Sequence, residues 1–119
     1  MLAICLAALC VPAVAAASTV FRLPGRTLYC EIVQYKPTSL DCWRATDGRN
    51  IGVLPTGRAL VNPDTNNRGN HQDRAPVLQF GQTWHRFAYS CTSRHLGVTC
   101  TNRSRHGFWL GRYHGYRLF

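Results

Sequence analysis

The chain has 119 residues, with 14 Lys or Arg against five Asp or Glu and six cysteines. Its length fits one domain. The formal charge of +9 favours anionic partners, such as nucleic acid, acidic polysaccharide, a phosphate-rich envelope polymer or a membrane surface, and argues against an inhibitor of basic enzymes such as lysozyme.

The first stretch, MLAICLAALCVPAVAAAS, carries no charge from Leu2 to Ala17 and ends in small residues. An apolar run closed by an A-x-A-like end is what a signal peptidase reads. The run is short for a spanning helix, and Pro12 interrupts it. It is read as an export signal cut near Ala17, with an uncleaved anchor as the alternative, since no Lys or Arg precedes the run. The expected domains are therefore a signal peptide over residues 1–17 and one β-rich secreted domain over residues 18–119. No membrane span remains after cleavage, and the expected location is the periplasm, the cell envelope or the exterior.

Cleavage removes Cys5 and Cys10 and leaves Cys30, Cys42, Cys91 and Cys100. An even cysteine count in a small exported domain reads as disulfides. All charged residues lie in the mature part. Lys36 is its only Lys, and the arginines are scattered, with no local run that would mark a dedicated nucleic-acid groove.

Along the mature chain, VFRLPGRTLYCEIV opens with a turn at Pro24–Gly25. Leu28, Cys30 and Ile32 then alternate with Tyr29, Glu31 and Val33, a period of two that predicts a strand. A loop built on Pro37 follows. LDCWRA is a second strand, TDGRN a turn and IGVL a third strand. From Pro55 to Pro76 the chain has no aromatic residue and is rich in Asn, Asp, Gly and Pro, which predicts a long loop. Order returns at VLQF and WHRFAYSC, and the last forty residues alternate again.

Facing positions set the disulfides. If Cys91 faces Cys100, Thr92 meets Thr99, Ser93 meets Val98 and Arg94 meets Gly97. That leaves a two-residue turn of His95 and Leu96. If Cys30 faces Cys42, Ile32 meets Leu40. Leu28, Ile32 and Leu40 then share the apolar face of the first pair, and Phe87, Tyr89 and Val98 that of the second. Four cysteines allow three connectivities; Cys30–Cys42 with Cys91–Cys100 has the shortest loops and is the pairing expected.

The run CTSRHLGVTCTN from Cys91 to Asn102, followed by HGF at His106–Phe108, resembles a family of small exported bacterial proteins of unknown function. Phe21 with Pro24, Leu40 with Cys42, and Leu78, Phe80, Gly81 and Trp84 fit its other marks. The family pattern has P-S-G-N-I where this chain has Pro24 to Leu28, and G-H-G-F where Arg105 precedes His106. Its middle cysteine pair is missing here as a pair, so the resemblance supports pairing among the remaining four. It implies fold and compartment, and no activity.

The cysteines fall in paired positions, so no thiol nucleophile is expected, and no G-x-S-x-G is present. His71, His85, His95, His106 and His114 never fall at H-x-H or H-x-x-x-H spacing, and DTNNRG places Arg68 where a calcium ligand belongs. No metal or cofactor is expected. Glu31, the histidines and the arginines supply the residue types of a small secreted ribonuclease-like hydrolase, the rival reading. Asn102-Arg103-Ser104 fits a glycosylation sequon, yet Asn102 is read as serving the turn after the hairpin. From His106 on, a single strand is expected with Gly107, Trp109, Gly111, Tyr113 and Gly115 on one face. Trp109 and Tyr113 are read first as core, with glycines admitting a neighbouring strand, and second as a stacking platform.

The expectation is an all-β, disulfide-stapled antiparallel sandwich or open barrel. Its expected function is that of an exported, non-enzymatic cationic binding protein whose ligand-binding residues are Arg105, His106, Trp109, Arg112 and Tyr113.

Overall fold

The structure is a computed structural model, and it describes residues 18–34, 38–62 and 74–119. The expected signal peptide, the loop on Pro37, His71 and the DTNNRG turn lie outside these residues.

Ten strands form two five-stranded antiparallel meanders. The first sheet runs in chain order through β1 (Val20–Arg22), β2 (Leu28–Val33), β3 (Ser39–Arg44), β4 (Asn50–Val53) and β5 (Leu60–Asn62). The second does the same through β6 (Thr83–Arg86), β7 (Tyr89–Arg94), β8 (Gly97–Thr101), β9 (Gly107–Gly111) and β10 (Tyr116–Leu118). The all-β expectation holds, and the architecture is an open sandwich whose apolar inner faces meet.

Period-two patterning builds that interface. On β2, Leu28, Cys30 and Ile32 point inward, and each is buried. One inner row of the first sheet is Phe21, Cys30, Cys42, Ile51 and Val61, opposite one another strand by strand. The matching row of the second is Trp84, Cys91, Cys100, Phe108 and Leu118. Each row has a disulfide near its middle. Cys30–Cys42 and Cys91–Cys100 both form, each with Cα atoms 4.0 Å apart, as the facing positions required. The bridges touch across the core, with Cys42 Sγ 3.9 Å from Cys100 Sγ. Cys30, Cys42 and Cys100 bring their sulfurs together, but all three are oxidised and offer no thiolate to a metal. Trp84 is fully buried against Phe21, ring centroids 4.9 Å apart, and its Nε1 donates to Ser18 O at 3.0 Å.

Phe87 is not on the apolar face. It sits with Ala88 in the turn between β6 and β7, 67% exposed, with φ 53°. WHRFAYSC is thus a hairpin, whose tight turn is carried by Phe in place of the usual glycine. Leu60–Asn62 add a strand inside the stretch read as a loop, of which residues 63–73 are outside the description. The strand expected from His106 onward stops at Gly111. The chain reverses over residues 112–115, where the Gly111 amide donates to Gly115 O at 3.0 Å, and returns as β10. Neither Trp109 nor Tyr113 belongs to the core cluster.

On the outer face of the first sheet, Asp41 lies opposite Glu31. Burial pushes the Asp41 carboxyl above its ordinary 3.8, partly offset by the hydrogen bond from Ser39 Oγ at 3.2 Å. An acid with a raised folded pKa gives the fold its full contribution below pH 3.8 and loses it as pH rises through the folded value. Asp41→Asn is therefore expected to raise the melting temperature at pH 7 and leave it unchanged at pH 3. Melting curves at the two pH values check this; a rise of equal size at both would place the effect outside ionisation.

Candidate functional site

Charge divides the sandwich. From Arg74 to Phe119 the chain carries seven arginines, four histidines and no Asp or Glu. The described carboxylates, Glu31, Asp41 and Asp47, all lie in the first-sheet half. The described histidines, His85, His95, His106 and His114, all lie in the second. The acid–base residue types of the hydrolase reading thus come from different sheets. Asp41 shares its shallow cleft with Arg58 and Asn62, and no histidine lines it.

The outer face of the second sheet is built by the alternation that builds the core. With Phe108 and Leu110 turned inward, Gly107, Trp109 and Gly111 face out. Trp109 lies over glycine. A methyl group placed on Gly97 would come within 2.8 Å of Trp109 Nε1, one on Gly111 within 3.0 Å of its Cη2, and one on Gly115 within 3.4 Å of its Cζ3. Glycine on β8, on β9 and in the following turn makes the bed for the indole, and side chains there would lift it off the sheet. The ring stays partly exposed and lines an open pocket of ≈ 260 Å³ with His95, Leu96, Tyr113 and His114. Tyr113 is 59% exposed and Leu96 74%.

Arg112 stands behind this pocket. It is only 8% exposed. Its Nε donates to Thr27 Oγ1 at 3.3 Å, Nη1 to His95 O at 3.2 Å and Nη2 to Pro24 O at 3.5 Å. The guanidinium lies between the Phe80 and Tyr113 rings, 5.0 Å from each centroid. Its hydrogen-bond partners are neutral oxygens, and no carboxylate among the described residues neutralises it. Arg112 thus ties the turns around the pocket together and leaves its positive charge uncompensated beside it.

Of the five sequence-derived site residues, Trp109, Arg112 and Tyr113 come together. Arg105 and His106 lie at the opposite end of β9. Arg105 is exposed with φ 67°, and His106 Nδ1 is 3.3 Å from Phe119 O. His95, Leu96 and His114 complete the pocket. Sequence reasoning missed them because the reversal at 112–115 was not foreseen. The absence of acids after Asp73 was a readable signal of this basic half.

Asn102 does serve the turn after the hairpin. It is 6% exposed, its Oδ1 accepts from the amides of Ser104 and His106, and its Nδ2 donates to Leu54 O and Gly57 O. All its hydrogen-bonding capacity is used within the fold.

Among the described residues, no helix is long and apolar enough to cross a membrane. No curated protein and no solved structure matches the chain. Residues 46–118 match a family described as a family of unknown function, DUF6636. The chain belongs to that family.

Proposed function

We propose that this protein is an exported, cationic binding protein that holds an anionic polymer at the cell envelope or outside the cell, without catalysing a reaction. The observation that carries this reading is the outer face of the second sheet, where Arg94 and Arg117 flank a glycine-bedded, partly exposed tryptophan and no Asp or Glu occurs from Arg74 to Phe119. Such a face attracts polyanions over long range and gives them one flat ring to rest on. Arg112 contributes charge from below the pocket, while Trp109 and Tyr113 contribute contact. Arg105 and His106 extend the basic surface along β9. The disulfides and the small size support an oxidising, exported setting. The hydrolase reading is disfavoured at Asp41, whose cleft is lined by Arg58 and Asn62 and by no histidine.

The electrostatic part of the binding is expected to weaken steeply as salt rises, since the Debye length falls from ~30 Å at 0.01 M to ~8 Å at 0.15 M. Trp109→Ala is expected to lower affinity for an anionic polymer by ~1–3 kcal/mol if the ring stacks on it. Because the indole is on the outer face, the variant is expected to melt closer to wild type than the ~3–5 kcal/mol loss of a core Trp→Ala would allow. Titration of polygalacturonate, inorganic polyphosphate and oligo-dT at low salt, beside melting curves, checks both. Binding of none of the three would overturn the proposal. RNA turnover abolished by one histidine substitution would replace it with the hydrolase.

A further inference from the structure

The ladder registers bring five residues into line across the whole second sheet. Thr83 of β6 faces Thr92 of β7, Thr92 faces Thr99 of β8, Thr99 faces Trp109 of β9, and Trp109 faces Arg117 of β10. All five belong to the outer face. Each threonine and Trp109 is partly exposed, and Arg117 is exposed. Neighbouring strands lie about 4.8 Å apart, so the row is roughly 19 Å long. Beside it, on the same face, lie His85, Ser90 and Thr101 in one row and Arg94 with Gly97 and Gly111 in the other, and the Trp109 indole leans out of the threonine row over these glycines towards the Arg94 side.

We infer that this row is a binding track for an acidic polysaccharide, lying across the strands with one sugar ring on Trp109 and its acidic groups towards Arg117 and Arg94. The inference rests on the anion-binding reading above and names the polymer. Three features favour a sugar chain over a nucleic acid. First, hydroxyls dominate the track. A threonine hydroxyl both donates and accepts, as a sugar hydroxyl does, whereas phosphodiester oxygens only accept. The Thr83 and Thr92 hydroxyls are 3.2 Å apart and already form the first link of such a chain of bonds. Second, the face offers a single indole followed by hydroxyls. Single-stranded nucleic acid is held by several rings on which successive bases stack. Third, the cations stand at the margins of the track and not in a continuous groove. This suits a polymer with spaced acidic groups and accounts for an arginine pattern that is scattered in the sequence. Charge complementarity commits the face to a polyanion, because no Asp or Glu occurs anywhere from Arg74 to the last residue.

The test compares polygalacturonate, inorganic polyphosphate and oligo-dT as probes, using wild type and the double variant Thr92→Val/Thr99→Val. Valine keeps the β-branched shape of threonine and removes only the hydroxyl, and both positions are on the solvent side. Polygalacturonate is expected to bind at least tenfold more tightly than the other two at matched charge. The double variant is expected to lose about tenfold in polygalacturonate affinity and to keep its melting temperature and its polyphosphate binding. If the variant melts early, a nuclear magnetic resonance titration of wild type with polygalacturonate replaces it. Shifts are then expected at Thr83, Thr92, Thr99, the Trp109 indole N–H and Arg117. Equal binding of all three probes, untouched by the double variant or with shifts elsewhere, overturns the track and leaves the anion-binding reading standing. Preference for oligo-dT overturns it in favour of a nucleic acid. Binding of no probe removes both readings.

Discussion

Loss of both disulfides is expected to unfold the protein under conditions in which the native form is stable. The bridges close short segments, with sequence separations of 12 and 9. Chain-entropy arguments give such loops ~2.5–3 kcal/mol each, about 5 kcal/mol together. Folded domains hold only ~5–15 kcal/mol in total, so this is a third of the stability at the least. Position adds to the effect. Each bridge lies near the middle of an inner row, and all four cysteines are fully buried. Cys42 Sγ and Cys100 Sγ are in contact across the sheets, so replacing either pair also opens space at the sheet–sheet contact. Urea unfolding of wild type, of the Cys30→Ala/Cys42→Ala and Cys91→Ala/Cys100→Ala variants, and of the fourfold variant measures this. Each pair is expected to cost ~3 kcal/mol or more, and their combination less than the sum, because the contact between the pairs is lost in each single replacement and only once in the fourfold one. A fourfold variant with the wild-type midpoint would show that the sandwich does not depend on its staples. Free thiols, or a Cys30–Cys100 peptide in the native protein, would overturn the pairing itself.

Much of this fold is legible in the sequence, and the parts that are not share physical causes. β2, β3, β7 and β8 are long enough for alternation to be seen, and facing cysteines fix their register without further information. The turn of His95 and Leu96 follows by counting. β1, β5 and β10 have three residues each, too few for a period of two to stand out from the surrounding loop. The turn at Phe87 escaped because its positive φ falls on a bulky residue, which no turn rule would select. The reversal at 112–115 hid behind RYHG, whose aromatic and basic residues continue the strand pattern; only Gly115, with φ 84°, marks the bend. That one misreading placed Tyr113 beside Trp109 on a strand, where in fact a turn brings it to the rim of a pocket. The row from Thr83 to Arg117 needs the registers of four ladders at once. No single hairpin in the sequence contains more than two of its members.

Arg44→Met is the other substitution expected to cost heavily, at about 3 kcal/mol, since hydrogen bonds to charged groups are worth ~1.5–3 kcal/mol each and a buried partner left alone adds its desolvation. Arg44 is 2% exposed and sits on the inner side of β3, beyond the apolar rows. Its Nε and Nη2 hold Asp47 at 3.0 and 2.9 Å. Its Nη1 donates to Gly111 O and Gly115 O, both at 2.9 Å. One guanidinium therefore joins the two sheets and spans the turn that presents Arg112, Tyr113 and His114. Methionine fills similar volume but leaves both carbonyls without this donor. Arg44→Lys is expected to rescue little, because an ammonium lacks the planar fork needed to serve a carboxylate and two carbonyls together. Asp47→Asn is expected to cost much less, as its side chain is 50% exposed and solvent screens the pair. The hydrogen bond from Arg44 holds the Asp47 carboxyl down at about 2. An acid with a depressed folded pKa contributes above its unfolded value, so this part of the stability is present above pH 4 and is lost as pH falls towards 2. Denaturant midpoints of wild type and the three variants at pH 7 and pH 2.5 separate the contributions. A lysine variant as stable as wild type would show that charge alone matters at this position, and that the fork geometry spanning the turn does not.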